Sequence, residues 1–244
     1  MSVQIELAQF DDEARVQATG RSVHSSAERV KPSIFQYDYL VLNELSADVR
    51  RLIAATPPGA TRALDLGAGE SPYRQVLEAK GLEVKTLDVS SDTGADYQGT
   101  VESTGLPDES FDVVLCTQVL EHCDDPFRGI REIRRILRPG GHSILSVPHV
   151  WFFHPHPRDH WRFTQQGLAR LCESAGLEVK VLLGQGGSML AAAQVGNFLA
   201  YGVLRAAGAP LYALGNVAGA LLDRLIRNDL FCINFACLAR KPGR

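Results

Sequence analysis

The stretch Ala63-Leu64-Asp65-Leu66-Gly67-Ala68-Gly69 runs a short apolar strand into a glycine turn. Glycines at such a turn let the backbone approach a ligand closely, and a helix that follows offers free N–H groups and the positive end of its dipole. Nucleotide-like ligands bind at this point of an α/β sheet. A dinucleotide fingerprint asks for a third glycine at position 72, where this chain has Pro72, so a pyrophosphate-binding turn is disfavoured. A tight structural turn is the alternative. The next β-like run, Glu83 to Asp88, ends in a carboxylate about twenty residues beyond the glycines, where an acidic side chain can accept hydrogen bonds from both ribose hydroxyls. The two elements at this separation point to a nucleoside far more sharply than either does alone.

Outward from the turn, β-like and helical runs alternate. The pattern predicts strands at Arg62–Leu66, Glu83–Asp88, Phe111–Cys116 and His142–Val147, with helices over Pro72–Lys80 and Pro126–Leu137. That rhythm implies parallel βαβ units with right-handed crossovers. In the second helix Asp125 is the cap, Pro126 suits the first turn, Phe127, Ile130, Ile133 and Leu137 form the apolar stripe, and Pro139-Gly140-Gly141 is the stop. A further helix runs from Thr164 to Gly176, and Leu177 to Leu183 reads as a strand. Upstream, residues 1–35 read as a loosely ordered arm able to cap a site. Leu42, Leu45, Val49, Leu52 and Ile53 then mark an amphipathic helix that stops at Pro57-Pro58-Gly59. Residues 184–230 break the rhythm with Ala, Leu and Gly, and Phe231 to Ala239 reads as a buried strand that closes the sheet. The expected organisation is an N-terminal arm and helix over 1–58 and an α/β domain over 59–244 with a helical insert at 184–230.

With 244 residues, 45% of them apolar, the chain can bury one sizeable core. A net charge of -3 gives no global attraction to nucleic acid. Arg128, Arg131, Arg134, Arg135 and Arg138 share one helix face, but without interleaved aromatics they read as a solvated face, and no nucleic-acid partner is expected. Five cysteines without a C-x-x-C pair indicate neither a disulfide framework nor a zinc knuckle. The first thirty residues lack the basic start and apolar run of a secretory signal, so a cytoplasmic location is expected.

Taken in order, Asp65-Leu66-Gly67-Ala68-Gly69, Asp88, Leu106-Pro107-Asp108-Glu109-Ser110-Phe111-Asp112-Val113-Val114, Val119-Leu120-Glu121-His122 and Ile136-Leu137-Arg138-Pro139-Gly140-Gly141 resemble the class I S-adenosylmethionine-dependent methyltransferases, in their ubiquinone-biosynthesis-like (type 11) branch. The resemblance covers residues 60–183. It implies a doubly wound, seven-stranded, mostly parallel sheet whose last strand is antiparallel, with S-adenosyl-L-methionine lying across the strand ends. Carried over by position, Asp65, Gly67, Ala68 and Gly69 surround the methionine end of that cofactor, Asp88 holds the ribose, and Gln118 contacts the cofactor and lines the acceptor pocket. The chain departs from the pattern where relatives place an acid on the adenine amino group: it reads Gly99-Thr100-Val101, leaving Thr100 or Glu102 for that contact.

Four of the seven histidines fall in the segment from Pro148 to Thr164, which follows the fifth strand, where the resemblance implies a loop that would face the methyl donor. A metal set of His154, His156, Asp159 and His160 can be drawn, but methyl transfer from a sulfonium needs no Lewis acid and the spacing matches no compact motif, so no metal is expected. Acceptor binding is the better reading. It resembles an H-P-x-P-x-D-x-W-R-F-T run in methyltransferases of bacterial glycan or small-molecule biosynthesis. A hydroxyl acceptor also needs a base, and His160 beside Asp159 is the first candidate, His122 the second. Three functions stay open: methylation of a hydroxyl or amine on a small molecule or glycan, methylation of a lipid or quinone-like acceptor, and a non-catalytic cofactor-binding scaffold. The apolar insert is expected to cover an acceptor, pack against a second copy in a homodimer, or touch a membrane surface.

Overall fold

The computed structural model describes residues 24–154, 158–226 and 228–243. Its centre is a seven-stranded sheet of β1 (Arg62–Leu66), β2 (Glu83–Asp88), β3 (Tyr97–Gln98), β4 (Phe111–Thr117), β5 (Leu137–Pro148), β6 (Glu178–Gln185) and β7 (Asn234–Arg240). The spatial order is β3-β2-β1-β4-β5-β7-β6, and only β7 runs antiparallel to its neighbours. This is the doubly wound sheet expected from the sequence. The order reverses direction between β1 and β4, which pair in parallel through Ala63↔Val113 and Asp65↔Leu115. A crevice opens beyond the strand ends at such a switch point, so the glycine turn sits where the topology makes room for a ligand.

Buried side chains cover both faces. On one, Ile130, Ile133 and Ile136 of α4 (Pro126–Ile136) and Leu168 and Leu171 of α5 (Gln165–Ser174) pack with Leu64, Val114 and Leu145. On the other, Leu45, Val49, Leu52 and Ile53 of α2 (Tyr39–Ala55) join Leu77 of α3 (Arg74–Ala79) against Ala63, Leu115 and Ile144. The caps follow the sequence: Asp125 accepts from the Arg128 N–H and Thr164 from the Gly167 N–H.

Several boundaries differ from expectation. The first helix after the glycine turn forms only at Arg74, because Pro72 and Tyr73 close a turn in which the Arg74 N–H donates to Ser71. Leu137 begins β5 rather than ending α4. Gly141 there is held by close backbone: a Cβ on it would lie 2.9 Å from the Arg138 carbonyl oxygen and 3.0 Å from that of Asp112. The sixth strand extends to Gln185 and the last begins at Asn234, so the stretch between them runs over 186–233 rather than 184–230. The arginines expected on one helix face find acidic partners nearby: on α4 Arg135 pairs with Asp108 and Glu132 and Arg131 with Asp125, while Arg138, which lies on β5, pairs with Asp112.

The described part of the arm is better ordered than expected. Ser25 and Glu28 form a reciprocal capping box on α1 (Ser26–Val30), and this S-x-x-E signature was present in the sequence. The Ser26 hydroxyl donates to the Glu70 carbonyl at 3.0 Å, laying α1 beside the glycine turn.

The insert is an antiparallel hairpin of α6 (Ser188–Leu204) and α7 (Ala209–Leu225), joined by a tight turn at Arg205–Gly208. Its polarity is inverted. Gln194, Asn197, Asn216 and Asp223 are buried, whereas every exposed position from Ala192 to Leu222 is apolar. The Asn197 amide donates to Asn216 at 2.8 Å, and Asn216 donates to the carbonyls of Ile34 and Gln36 at 2.7 and 2.9 Å. Among the described residues, no helix is long and apolar enough to cross a membrane.

Candidate functional site

The cleft beyond β1 is built by backbone that only glycine adopts readily. Gly67 and Gly69 have φ of +72° and +51°. A Cβ on Gly67 would come within 2.6 Å of the Val119 side chain, so that position is closed to larger residues by shape as well as by conformation. The Gly67 and Ala68 N–H groups donate to the Leu87 carbonyl at 2.8 and 3.1 Å, tying the turn to the end of β2. Asp88 completes the brace: its two carboxylate oxygens accept from the N–H groups of Gly69 (2.8 Å) and Ser90 (2.9 Å). A carboxylate offers about four lone-pair sites, so Asp88 keeps acceptor capacity for a diol. The ligand groups here are those of the turn itself, since α3 starts too late to aim its N-terminus at Gly69.

Asp65 is 3% exposed, and burial pushes its carboxyl up to about 6, opposed by the Ser71 hydroxyl that donates to it at 2.6 Å. Ser71 was not anticipated. Its φ of +51° shows a strained turn held for the sake of that contact. Gln118 is a second non-glycine residue at positive φ, +55°, fixed by its N–H on the Ser146 carbonyl (2.9 Å) and its amide on the Ser146 hydroxyl (3.1 Å). Strain of this kind beside a cleft marks a constrained position rather than a casual loop. Thr100 is exposed and bridges to Ser103, while the Glu102 carboxylate accepts from the Asp124 N–H at 3.0 Å. Glu102 thereby serves the loop before α4, which leaves Thr100 as the more available of the two.

The turn Leu120–His122 follows directly from Val119, and the segment after β5 is laced onto it. The His160 and Trp161 N–H groups donate to the Glu121 carbonyl at 2.9 and 3.2 Å, the Trp161 indole donates to the Cys123 carbonyl at 2.8 Å, and Arg158 pairs with Asp124 at 2.8 Å. The Glu121 side chain is 1% exposed; burial pushes its carboxyl up to about 8, and its Oε2 has no hydrogen-bond partner among the described residues. His122 stands beside it, Nε2 to Oε1 3.9 Å, with Nδ1 on the Arg158 carbonyl. His154 meets the His122 ring edge-on at 5.2 Å between centroids. Burial holds both imidazoles below their ordinary range.

His160 and Asp159, adjacent in sequence, part company in space. The His160 imidazole is half exposed and lies 3.3 Å from Asp124, whereas Asp159 turns inward to Arg162 and His154. Burial opposes ionisation of Asp159, but the Arg162 guanidinium and the His154 N–H outweigh it and hold the carboxyl below its usual value. Of the metal set drawn from the sequence, His154 and Asp159 come together, His160 does not join them, and His156 lies outside the described residues. The sequence singled out Glu121 only within its motif, because nothing in a single sequence shows that its carboxyl is buried. Beyond the histidines, Phe152 stacks on Phe198 of α6 at 3.7 Å with Trp151 alongside, so the segment and the hairpin share an aromatic wall.

Comparisons with known proteins bear on the domain and on the fold. Residues 64–145 match a family described as a methyltransferase domain. A methyltransferase of uncharacterized role from Mycobacterium sp. (strain KMS) is 34% identical over 115 residues, covering 43% of this chain and 45% of the relative. The chain thus spans about half the length of the curated relatives it matches. Among solved structures, the 1,6-didemethyltoxoflavin-N1-methyltransferase of Burkholderia thailandensis, solved with S-adenosylhomocysteine, aligns with a TM-score of 0.57 at 17% identity, over 99% of this chain and 94% of that one. The [4+2]-cyclase SpnF aligns equally well, TM-score 0.57 at 20% identity, over 82% of each chain. The chain shares its fold with these solved structures.

Proposed function

We propose that this chain transfers a methyl group from S-adenosyl-L-methionine to a hydroxyl or amine of a small-molecule or glycan acceptor. The observation that carries the reading is the Gly67–Gly69 turn at the switch point, braced by both oxygens of Asp88 and closed to larger residues by Val119. That cradle fits a nucleoside, and residues 64–145 match methyltransferases as a domain. The bound sulfonium supplies an activated methyl group. The chain's part is to align the acceptor with it and exclude water. Asp88 holds the ribose, Asp65, Gly67, Ala68 and Gly69 form the wall at the methionine end, Thr100 reaches the adenine, and Gln118, locked by Ser146, orients the cofactor's reacting end. His160 is the base for a hydroxyl acceptor, with its exposed imidazole oriented by Asp124, and His122 is the second candidate. Asp159 positions the segment through Arg162 and His154. Within the class, the motif order favours the ubiquinone-biosynthesis-like branch.

The fold alone does not decide chemistry, as a cyclase on the same fold makes plain. Release of S-adenosylhomocysteine with a panel of sugars, lipid-linked glycans, quinols and amino compounds is the test. Turnover with any member supports the reading; tight cofactor binding with no release across the panel supports the scaffold alternative.

A second reading concerns where the acceptor lies. The hairpin turns its asparagines inward and its leucines outward, the reverse of a helix pair bathed in water, which supports a lipid or quinone-like acceptor met at a membrane surface. Flotation with phospholipid vesicles tests this. Co-migration lost on replacing Leu214, Leu221 and Leu225 with Ser supports it, whereas a soluble dimer by light scattering, unmoved by vesicles, assigns the same face to a second copy.

A further inference from the structure

We propose that Glu121, His122 and His154 form a binding site for one divalent transition cation, of the zinc or manganese kind, with coordination positions left open for an oxygen atom of the acceptor. One ligand atom from each of the three residues lies within 4.8 Å of the other two. Ligands about 2.0 to 2.2 Å from a cation stand roughly 3 to 4 Å apart, so the Glu121–His122 pair at 3.9 Å is already in range, and His154, with a ligand atom within 4.8 Å of both, has to draw closer on binding. Two imidazoles and one carboxylate are a donor set that suits zinc, manganese or iron(II) and leaves positions free.

The surrounding groups are those a metal site requires. The His122 ring is fixed through Nδ1 on the Arg158 carbonyl. His154 presents Nδ1 to the Phe152 carbonyl at 3.2 Å and to the Asp159 carboxylate at 3.3 Å. Each ring therefore keeps Nε2 as the free lone pair, oriented by an outer partner in the manner of carboxylate–histidine–metal triads. Burial favours the neutral imidazoles that coordination needs. Glu121 supplies the independent pointer: Oε2, the second oxygen of the carboxylate whose Oε1 faces His122, belongs to a 1% exposed side chain and has no hydrogen-bond partner among the described residues, which is costly unless something occupies it. Arg162 does not bar a cation, because its charge is spent on Asp159. The set differs from the one drawn from sequence spacing, in which the acid was Asp159 and the partners His156 and His160.

The site adjoins the cofactor cleft, since it begins two residues beyond Val119, the side chain against Gly67. Cation binding stands apart from the methyltransferase reading; its service to an acceptor rests on that reading. A hydroxyl bound to the cation is more acidic and loses its proton to water. Its oxygen then bonds to the methyl carbon as the carbon–sulfur pair returns to the sulfonium sulfur, leaving a neutral thioether.

The test is titration of the full chain, stripped with chelator and without any cofactor, with cobalt(II), read by visible d–d absorption, and with zinc(II), read by calorimetry. One saturable equivalent is expected, weakened at least tenfold in both His154→Ala and the isosteric Glu121→Gln, and retained in His160→Ala. No stoichiometric uptake by the wild type, or uptake of equal affinity in folded His154→Ala or Glu121→Gln, overturns the proposal. S-adenosylhomocysteine titrated separately shows whether the cofactor reading survives either result.

Discussion

Replacing Glu121 with Gln, in the presence of chelator, should stabilise the protein at neutral and alkaline pH and do little in acid. The carboxyl is fully buried and raised from 4.5 to about 8 by desolvation. For an acid with a raised folded-state value, the folded protein binds the extra proton. Stability is therefore fully present below about 4.5 and is lost as pH climbs towards 8. At about 1.4 kcal/mol per unit, the rise from 4.5 to about 8 sets a ceiling on the order of 5 kcal/mol, and relaxation around the ionised group lowers the expected loss to about 2 to 4 kcal/mol. Gln has nearly the same shape and no proton to lose, so the variant escapes that loss. Guanidinium unfolding of both proteins at half-unit steps from pH 5.5 to 9 measures it. The two stability curves should diverge steadily and then run parallel above about pH 8. Curves parallel over the whole range would show that Glu121 ionises in the folded state as easily as in the unfolded one, and the buried, unpartnered carboxyl would be refuted.

Gly67→Ala should weaken S-adenosylhomocysteine at least tenfold, since the new methyl meets Val119 at 2.6 Å in a backbone at φ +72°; unchanged affinity by calorimetry would show that the turn is not the cradle. For a hydroxyl acceptor, His160→Ala should lower turnover by roughly 10² while leaving cofactor affinity intact, and a variant with full turnover removes His160 from proton transfer. Asn216→Ala strips partners from the Ile34 and Gln36 carbonyls and from Asn197, so a loss of about 2 to 4 kcal/mol is expected in denaturant melts, and a neutral effect contradicts the buried polar seam.

The sheet was legible because its signals are local: an apolar run, glycines at a turn, a carboxylate at the next strand end and caps such as Asp125 all sit within a few residues of what they determine. Even the antiparallel last strand came only with the family resemblance, since pairing of β7 between β5 and β6 depends on contacts distant in sequence. The site was half legible for the same reason. Asp65, Gly67, Gly69 and Asp88 are set by their own turn. The Glu121, His122 and His154 cluster depends on the segment after β5 folding back on the turn after β4, and on burial of one carboxyl, neither of which spacing reveals. Adjacency misled in one place: neighbouring residues in extended chain face opposite ways, so His160 and Asp159 found different partners. The hairpin was recognised by composition, but its inverted polarity emerged only when Asn197 and Asn216 proved to face one another.

The most direct test of the account is calorimetric titration of the wild-type chain and of Asp88→Ala with S-adenosylhomocysteine. Asp88 fixes the glycine turn through Gly69, and on the proposed reading its remaining lone pairs accept from the ribose hydroxyls in charge-assisted bonds worth about 1.5 to 3 kcal/mol each. One equivalent should bind the wild type, and the folded variant should bind at least tenfold more weakly, taking about 1.4 kcal/mol as a factor of ten. No saturable binding to the wild type, or equal affinity in both proteins, contradicts the assignment of this cleft to S-adenosylmethionine.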